Sequence, residues 1–223
     1  MGFSKEWDDV YKNNLQMSIW PWTDLISLVM RNVPLKSGDR ILELGCGAGA
    51  NIPFLSSFKG VEYCGLDGSE HIVNYLKEKY INRPDITIKC CDFTQDIPFE
   101  GKFDLIVDRS SVTHNVESDI RNTILHIKNK LKDEGVFIGI DWHSTCYSFY
   151  QYDVEQYDVI DTRTRIYKTG DFAGSGITHF SDADHIRELF CDFDIKVLYE
   201  KRYIYSESDN DVRGAWDFVA VKR

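Results

Sequence analysis

The chain has 223 residues, of which 43% are hydrophobic, and this size suits one domain with a full core, with or without a small cap. Lysine and arginine total 26 while aspartate and glutamate total 36, which gives a net charge of −10. That charge disfavours a broad phosphate-binding surface, so we expect no nucleic-acid partner, and without an apolar run of roughly 18 residues we expect no membrane segment.

Helical patterning opens the chain at residues 4–16 and 22–33, and Pro34 and Gly38 end it. Apolar, strand-like runs then alternate with amphipathic helical runs. We predict strands at 39–45, 61–67, 86–92, 102–108 and 135–142, and helices at 50–58, 69–80 and 118–131. Ser69 is in position to cap the second of these helices. Strands that alternate with helices predict a parallel sheet covered on both faces.

Residues 144–180 interrupt this alternation. The segment is rich in tyrosine and has no obvious core strand. A stretch of this length is typical of a functional cap or lid. After it we predict a helix in DADHIRELF and two strands, in DIKVLYEKRYIY and WDFVAVK, that form a closing hairpin at one edge of the sheet.

Three glycines, Gly45, Gly47 and Gly49, follow the first predicted strand. Glycine lets a ligand approach backbone amides closely, and the next helix points its N-terminal amides at that ligand. Two interpretations are open here. The loose G-x-G-x-x-G/A form, with Asp67 following 18 residues after Gly49, is typical of dinucleotide binding. The form E-x-G-x-G-x-G instead fits a nucleoside that carries an amino acid.

Features around the loop favour the second interpretation. Glu43 lies two residues before the first glycine and can order the loop by accepting its amide hydrogens. Asp92 ends the third strand, where it can accept a hydrogen bond from an adenine amino group, and Phe93 can pack on the ring. The sequence that follows contains no pattern of a second nucleotide-binding half.

On these motifs the chain resembles the class I S-adenosylmethionine-dependent methyltransferases of the small-molecule type. The matching segments are ILELGCGAGANIPFL, VEYCGLDGSEHIV, IKCCDFTQDIPF and KFDLIVDRSSVTHN, within residues 38–142. The resemblance implies a Rossmann-like α/β fold with a mostly parallel sheet of seven strands, an antiparallel C-terminal hairpin and helices on both faces. It also implies S-adenosyl-L-methionine as cofactor and S-adenosyl-L-homocysteine as product.

The resemblance further implies a single methyltransferase domain over residues 1–223. Within it we expect an N-terminal helical lid at 1–35, a cofactor-binding core at 38–142, a substrate cap at 144–180, and a closing helix and hairpin at 181–223. Six cysteines without C-x-x-C spacing indicate reduced core thiols, among them Cys64, Cys90 and Cys91. With no secretory signal pattern, we expect a cytoplasmic protein, and we predict no metal ion.

The resemblance assigns the cofactor site residue by residue. The glycines would line the methionine part, Asp67 would bind the ribose hydroxyls, and Asp92 and Phe93 would hold adenine. Arg109 and Ser110 would border the methyl group. For Asp67 and Asp92, the alternative role is that of a helix cap or a turn residue. The predicted cofactor-binding residues are Glu43, Gly45, Cys46, Gly47, Gly49, Asp67, Gly68, Asp92, Phe93, Arg109, Ser110, Tyr11 and Trp20.

Four aromatic residues precede the sheet, in WDDVYKNNLQMSIWPWTDL. We interpret Trp7 and Trp22 as packing the N-terminal helices against the core. Tyr11 and Trp20 are candidates to cover the cofactor, because an aromatic face attracts a cation such as a sulfonium by about 0.5–2 kcal/mol.

Methyl transfer to oxygen needs a base that removes the acceptor's proton. The predicted candidates are Asp141 and His143, which end the fifth strand and share one face, and His114 after the fourth strand. Asp141 and His143 fit a base with its orienting acid, a metal pair or a hydrogen-bonded turn. His114 fits a packing role as well.

The cap supplies the predicted acceptor contacts, which are Tyr147, Arg163, Arg165 and His179. Tyrosine and arginine suit sugar rings, carboxylates and phosphates. We therefore expect O-methylation of a small polar acceptor, sugar-like or anionic. The alternatives are a cofactor-binding module without chemistry and an NAD-type nucleotide-binding enzyme.

Overall fold

A seven-stranded sheet forms the centre of the fold, and the computed structural model describes residues 6–147, 150, 156–204 and 212–223. The strands in chain order are β1 (Arg40–Leu44), β2 (Glu62–Asp67), β3 (Ile86–Cys90), β4 (Phe103–Arg109), β5 (Leu131–His143), β6 (Tyr157–Val159), β7 (Thr164–Tyr167), β8 (Ile177–His179), β9 (Phe193–Ile204) and β10 (Val212–Lys222). The order across the large sheet is β3-β2-β1-β4-β5-β10-β9. The first five strands are parallel and β10 is antiparallel to both its neighbours, which confirms the predicted fold class.

Helices cover both faces of this sheet, as predicted. They are α1 (Glu6–Lys12), α2 (Thr23–Asn32), α3 (Ile52–Leu55), α4 (Glu70–Lys79), α5 (Glu117–Lys130) and α6 (Ala183–Leu189). Successive residues of a strand point to opposite faces, so Ile41 and Leu42 of β1 belong to two separate apolar clusters. Leu42 shares its cluster with Ile120 of α5 and Ile186 of α6, whereas Ile41 lies with Ile72 of α4. No helix in the described ranges is long and apolar enough to span a bilayer.

Local signals set most of the element boundaries. The side chain of Ser69 accepts a hydrogen bond from the amide of Ile72, so the predicted cap of α4 is confirmed. The closing hairpin is also confirmed, with β9 paired along β10 at the sheet edge. β5 begins at Leu131, four residues earlier than predicted, because it follows directly on the last residue of α5.

The cap at residues 144–180 has a small sheet of its own. β6, β7 and β8 pair antiparallel in this sheet, so the segment adds no strand to the core sheet but has short strands that the sequence analysis did not predict. The strands were not recognised because they have three or four residues and few aliphatic side chains. Aromatic residues form the cap's own buried cluster, namely Tyr147, Tyr157, Tyr167, Phe172 and Phe180. Tyr152, another tyrosine of the segment, lies outside the described residues.

The six cysteines are all free thiols, in agreement with the sequence. Cys46 and Cys64 are buried, but Cys91 is only partly buried and Cys90 is exposed. The expectation that Cys90 is a core thiol is therefore wrong, because it ends the edge strand β3, where one side of the sheet is not covered.

Candidate active site

A cavity of about 810 Å³ opens at the carboxyl ends of β1 to β5. This is the edge at which ligands of open parallel sheets bind. Most of the residues singled out in the sequence line it: Tyr11, Glu43, Gly45, Cys46, Gly47, Asp67, Gly68, Asp92, Phe93, Arg109, Ser110, His114, Asp141, His143 and Tyr147. Five others, Trp20, Gly49, Arg163, Arg165 and His179, do not belong to the lining.

The glycine loop after β1 brings bare backbone to the cavity. Gly45 and Gly47 have φ angles of 61° and 49°, in the left-handed region that glycine adopts without strain. A Cβ on Gly45 would lie 2.2 Å from the Cβ of Ser111, and one on Gly47 would lie 2.8 Å from the hydroxyl of Tyr11. Gly49 packs instead against Leu76 and Ile52, where it lets α3 and α4 approach.

Glu43 stands under the loop in a fully buried network. Its carboxylate accepts hydrogen bonds from Asn51 Nδ2 at 2.7 Å and from Tyr63 Oη at 2.6 Å, instead of the loop amides expected from the sequence. Asn51 Oδ1 in turn accepts from the amide of Trp22 at 3.3 Å. Burial raises the pKa of Glu43 to about 7 despite these two hydrogen bonds. Glu43 therefore ties the loop to the N-terminal segment.

Asp67, at the end of β2, holds the loop amide that was expected to bind Glu43. One carboxylate oxygen accepts from the amide of Gly47 and the other from the amide of Ser69, both at 2.9 Å. Burial raises the pKa of Asp67 to about 6, while these amide hydrogen bonds oppose the rise. A carboxylate has about four lone-pair sites, so Asp67 can accept from a ligand hydroxyl in addition to these amides.

Asp92 and Phe93 follow the neighbouring strand β3. Asp92 Oδ1 accepts from the amide and the hydroxyl of Thr94, at 3.0 and 2.7 Å, which fixes the turn after the strand. Phe93 is buried in the apolar cluster beneath it. Because β2 and β3 are adjacent, Asp67 and Asp92 line the same side of the cavity.

The N-terminal segment closes this side of the cavity. Tyr11 is buried over Gly47, as a cover residue would be, but Trp20 is 77% exposed. Trp7 and Trp22, interpreted as packing residues, are partly buried against the core and also line the cavity. The guanidinium of Arg109 lies 3.6 Å from the centre of the Trp22 ring, in cation–π contact.

The turn after β4 depends on Asp108, which the sequence analysis did not single out. Its buried carboxylate accepts from the amides of Ser111 and Val112, from the Ser111 hydroxyl, and from the indole of Trp142 at 2.7 Å. Burial raises the pKa of Asp108 to about 6. The only available signal was its place at the end of a buried strand. In this turn Ser110 takes a φ of 59°, a strained conformation of the kind found at functional sites.

Two histidines that line the cavity, His114 and His143, pack against each other edge to face. Their rings are 5.4 Å apart, and His114 also packs edge-on against Trp7 at 4.9 Å. His114 Nδ1 lies 2.9 Å from the carbonyl oxygen of Ile177, which can only accept, so Nδ1 carries the proton and the Nε2 lone pair remains. Burial lowers the pKa of His114 to about 4 and that of His143 well below its usual value.

Asp141 ends β5 beside these histidines but binds cations. Its carboxylate pairs with Arg109 at 2.9 Å and with Lys201 at 2.6 Å. His143 Nε2 lies 3.3 Å from the hydroxyl of Ser110. The described contacts thus assign Asp141 a role in holding Arg109, while its expected role as the orienting acid of His143 stays a prediction.

The predicted acceptor contacts of the cap mostly serve the cap itself. Arg163 pairs with Asp182 at 2.8 Å, and Arg165 is buried between the rings of Tyr150 and Tyr157. Only Tyr147 of the predicted set lines the cavity, and its hydroxyl donates to Asp171 at 3.2 Å. Cavity residues that the sequence analysis missed here and elsewhere include Asp24, Asp171, Phe172, Tyr203 and Arg213. No local pattern marks them, because strand pairing and the cap's folding bring them to the cavity.

The chain is similar to known methyltransferases over its central part. Residues 42–137 match a family model described as a methyltransferase domain. The chain is 29% identical over 117 residues to an uncharacterized methyltransferase of Synechocystis sp., which covers 52% of this chain and 53% of that protein. It is 27% identical over 146 residues to the putative methyltransferase YqeM of Bacillus subtilis. This match covers 65% of this chain and 55% of that protein. The chain thus spans about half the length of these curated relatives.

The fold is similar over nearly the whole chain to a crystal structure of an S-adenosylmethionine-dependent methyltransferase from Anabaena variabilis. The TM-score is 0.68 at 17% identity, over 98% of this chain and 93% of the other. The family match lies across β1 to β5, whose carboxyl ends form the cavity. The chain is therefore similar to methyltransferases in the sequence of this central part, and it has the fold of S-adenosylmethionine-dependent methyltransferases.

Proposed function

We propose that this protein transfers a methyl group from S-adenosylmethionine to an oxygen of a small polar acceptor. One observation carries the proposal: the same cavity is lined by the glycine loop and the strand-end carboxylates Asp67 and Asp92, and by a pair of histidines, His114 and His143. Its volume of about 810 Å³ lies within the range of about 300–1,000 Å³ typical of small-molecule sites. The activity, the acceptor and the partners are proposals, since the chain spans about half the length of the curated relatives that it matches.

The cavity fits the cofactor. The loop at Gly45 and Gly47 leaves no room for a Cβ, so the backbone itself borders the ligand's amino-acid part. Asp67 keeps lone pairs for the ribose hydroxyls, and Asp92 lies one strand further for adenine. Tyr11 closes the loop from above and excludes water. Bound in this way, S-adenosylmethionine supplies a methyl group on an activated sulfonium.

His114 is the residue that we assign to proton removal. The carbonyl of Ile177 fixes the tautomer that leaves Nε2 as the acceptor, and burial keeps the ring uncharged at neutral pH. His143 and Ser110 lie beside it and can orient the acceptor's hydroxyl. Positioning of the acceptor in line with the methyl group accounts for the rest of the rate enhancement, because an activated sulfonium needs no metal.

The acceptor side of the cavity is aromatic with one ion pair. Phe172 packs against the ring of His143 at 4.8 Å, and Asp171 pairs with Arg213 at the rim. A flat or ring-shaped acceptor fits the aromatic walls, and a polar or anionic substituent fits Arg213. Arg213 thereby takes the role that the sequence analysis gave to Arg163 and Arg165.

Calorimetry with S-adenosylmethionine and with NAD tests the cofactor assignment. We expect the methyl donor to bind and NAD not to bind. Asp67→Asn should weaken donor binding about tenfold to hundredfold, because it removes the charge from hydrogen bonds worth about 1.5–3 kcal/mol. Asp158→Asn, on an exposed ion pair in the cap, is the matched control and should bind normally. Tight NAD binding would reject the assignment.

A methyl-labelling screen against hydroxylated metabolites then tests the chemistry. Transfer to a small hydroxylated compound is the expected result. Donor binding without transfer to any acceptor class, including amines and peptides, would support a cofactor-binding module instead.

A further inference from the structure

Three metal-ligating side chains converge where strand β8 of the cap meets helices α5 and α6. Glu117 is the first residue of α5, His179 ends β8, and His185 lies in α6. One ligand atom from each lies within 4.8 Å of the other two, and His185 Nε2 is 3.6 Å from Glu117 Oε1. None of the three lines the cavity, so this cluster is separate from the proposed active site.

Both histidines are buried, and their Nε2 atoms have no hydrogen-bond partner among the described residues. An unsatisfied buried polar nitrogen costs about 1–3 kcal/mol, so its presence in a folded chain needs a reason. Two such nitrogens at one place, beside a carboxylate, are what a bound cation would satisfy.

The opposite ring nitrogens are held as they are in metal sites. His179 Nδ1 lies 2.8 Å from the hydroxyl of Thr164, and His185 Nδ1 lies 3.0 Å from that of Ser181. When Nδ1–H of His179 donates to the Thr164 hydroxyl, the Nε2 lone pair is left for a ligand, which is the tautomer of a metal-ligating histidine.

The surrounding charges suit a cation. Arg121 donates to Glu117 and to Glu188, and Arg163 pairs with Asp182, so each nearby arginine is already neutralised. A ligating carboxylate is itself usually hydrogen-bonded, as Glu117 is.

We propose that Glu117, His179 and His185 bind a divalent transition-metal ion, Zn²⁺, with water in the fourth position. Zinc takes histidine nitrogen and carboxylate oxygen at about 2.0–2.2 Å, so tetrahedral donors lie roughly 3.4 Å apart. The three donors lie at most 4.8 Å from one another, so the set needs to contract by at most about 1.4 Å to reach this spacing.

The ion would join the cap to the core. β8 belongs to the cap, α6 belongs to the closing segment, and α5 begins three residues after His114. His114 already contacts β8 through Ile177. A bound ion next to this contact fixes the cap over the cavity, which is a structural role and not a catalytic one.

The test uses the full chain without a histidine tag, stripped with a chelator and titrated with Co²⁺ as a spectroscopic substitute for Zn²⁺. We expect one equivalent to bind, with visible bands of a tetrahedral ion, and Zn²⁺ to displace it. Glu117→Gln should lose this binding, whereas the matched control His71→Gln, on an exposed histidine of α4, should keep it. Binding by wild type and Glu117→Gln alike would overturn the proposal, as would no binding by wild type.

Thr164→Val is a second variant that separates metal binding from folding. It removes the hydroxyl that orients His179, and loss of such a partner weakens metal affinity about tenfold to hundredfold. Circular dichroism of the metal-free variant checks the fold. A native spectrum with unchanged Co²⁺ affinity would contradict the proposed ligand set.

Discussion

The carboxyl edge of β1 to β4 and the cap at 144–180 both border the cavity, but they are organised differently. At the sheet edge, these binding residues lie at or just after the end of a strand, so the strand sets their position: Asp67 ends β2, and Asp92 comes two residues after β3. In the cap, side chains are placed by distant partners, as when Asp182 holds Arg163. A polar residue therefore indicates a site more reliably after a parallel strand than in a loop-rich insertion.

The largest expected effect lies where the two regions meet, at His114. His114→Asn keeps a donor for the Ile177 carbonyl but removes the base, so kcat should fall by about 10²–10⁴-fold while affinity for S-adenosylmethionine stays the same. Turnover of an identified acceptor and calorimetry measure the two quantities. His71→Asn, on the exposed face of α4, is the control. An unchanged kcat would show that His114 only packs the cap onto the core.

A pair of glycine substitutions compares the two regions directly. Gly47 and Gly174 both have positive φ, but a Cβ on Gly47 would meet Tyr11, whereas one on Gly174 has no atom within 4 Å. Each alanine costs about 1–2 kcal/mol of backbone strain. Only Gly47→Ala also displaces the loop, so its affinity for the methyl donor should fall by about 100-fold, and Gly174→Ala should bind normally.

Thermal unfolding and calorimetry on the two variants check this difference. Similar losses of stability with different losses of affinity are the expected result. Equal donor affinity in both variants would mean that the glycine loop does not border the ligand.

The same contrast explains what the sequence could and could not predict. The order of strands and helices follows from hydrophobic patterning, and the cavity edge follows from parallel topology, so the glycines, Asp67 and Asp92 were found. The partner of the Gly47 amide was missed, because Glu43 and Asp67 are both acids beside the loop and only the fold decides between them. Asp171 and Arg213 meet across 42 residues of sequence, which no local pattern reports.

The pH dependence of the free energy of unfolding should reflect the buried carboxyl of Glu43 at the sheet edge. The pKa of Glu43 is about 7 in the folded chain against a reference of 4.5, so the folded state binds its proton more tightly than the unfolded state. The stabilisation that the protonated Glu43 carboxyl contributes is complete below about pH 4.5 and is lost as the pH rises through 7. Wild type should therefore lose about 2–3 kcal/mol relative to Glu43→Gln between pH 5 and pH 8. Urea unfolding at both pH values measures this, and a parallel pH response of the two proteins would contradict it.

The smallest expected effect is in the cap, at Arg163. Its ion pair with Asp182 is partly exposed, so Arg163→Ala should lower the free energy of unfolding by less than about 1 kcal/mol and leave the KM of the acceptor unchanged. Arg213→Ala, which alters the cavity wall, should raise that KM about tenfold, because a charged hydrogen bond contributes about 1.5–3 kcal/mol. Steady-state kinetics on both variants measure the contrast. A raised KM in Arg163→Ala but not in Arg213→Ala would contradict this assignment. It would mean that Arg163, and not Arg213, contacts the acceptor, after leaving its ion pair with Asp182.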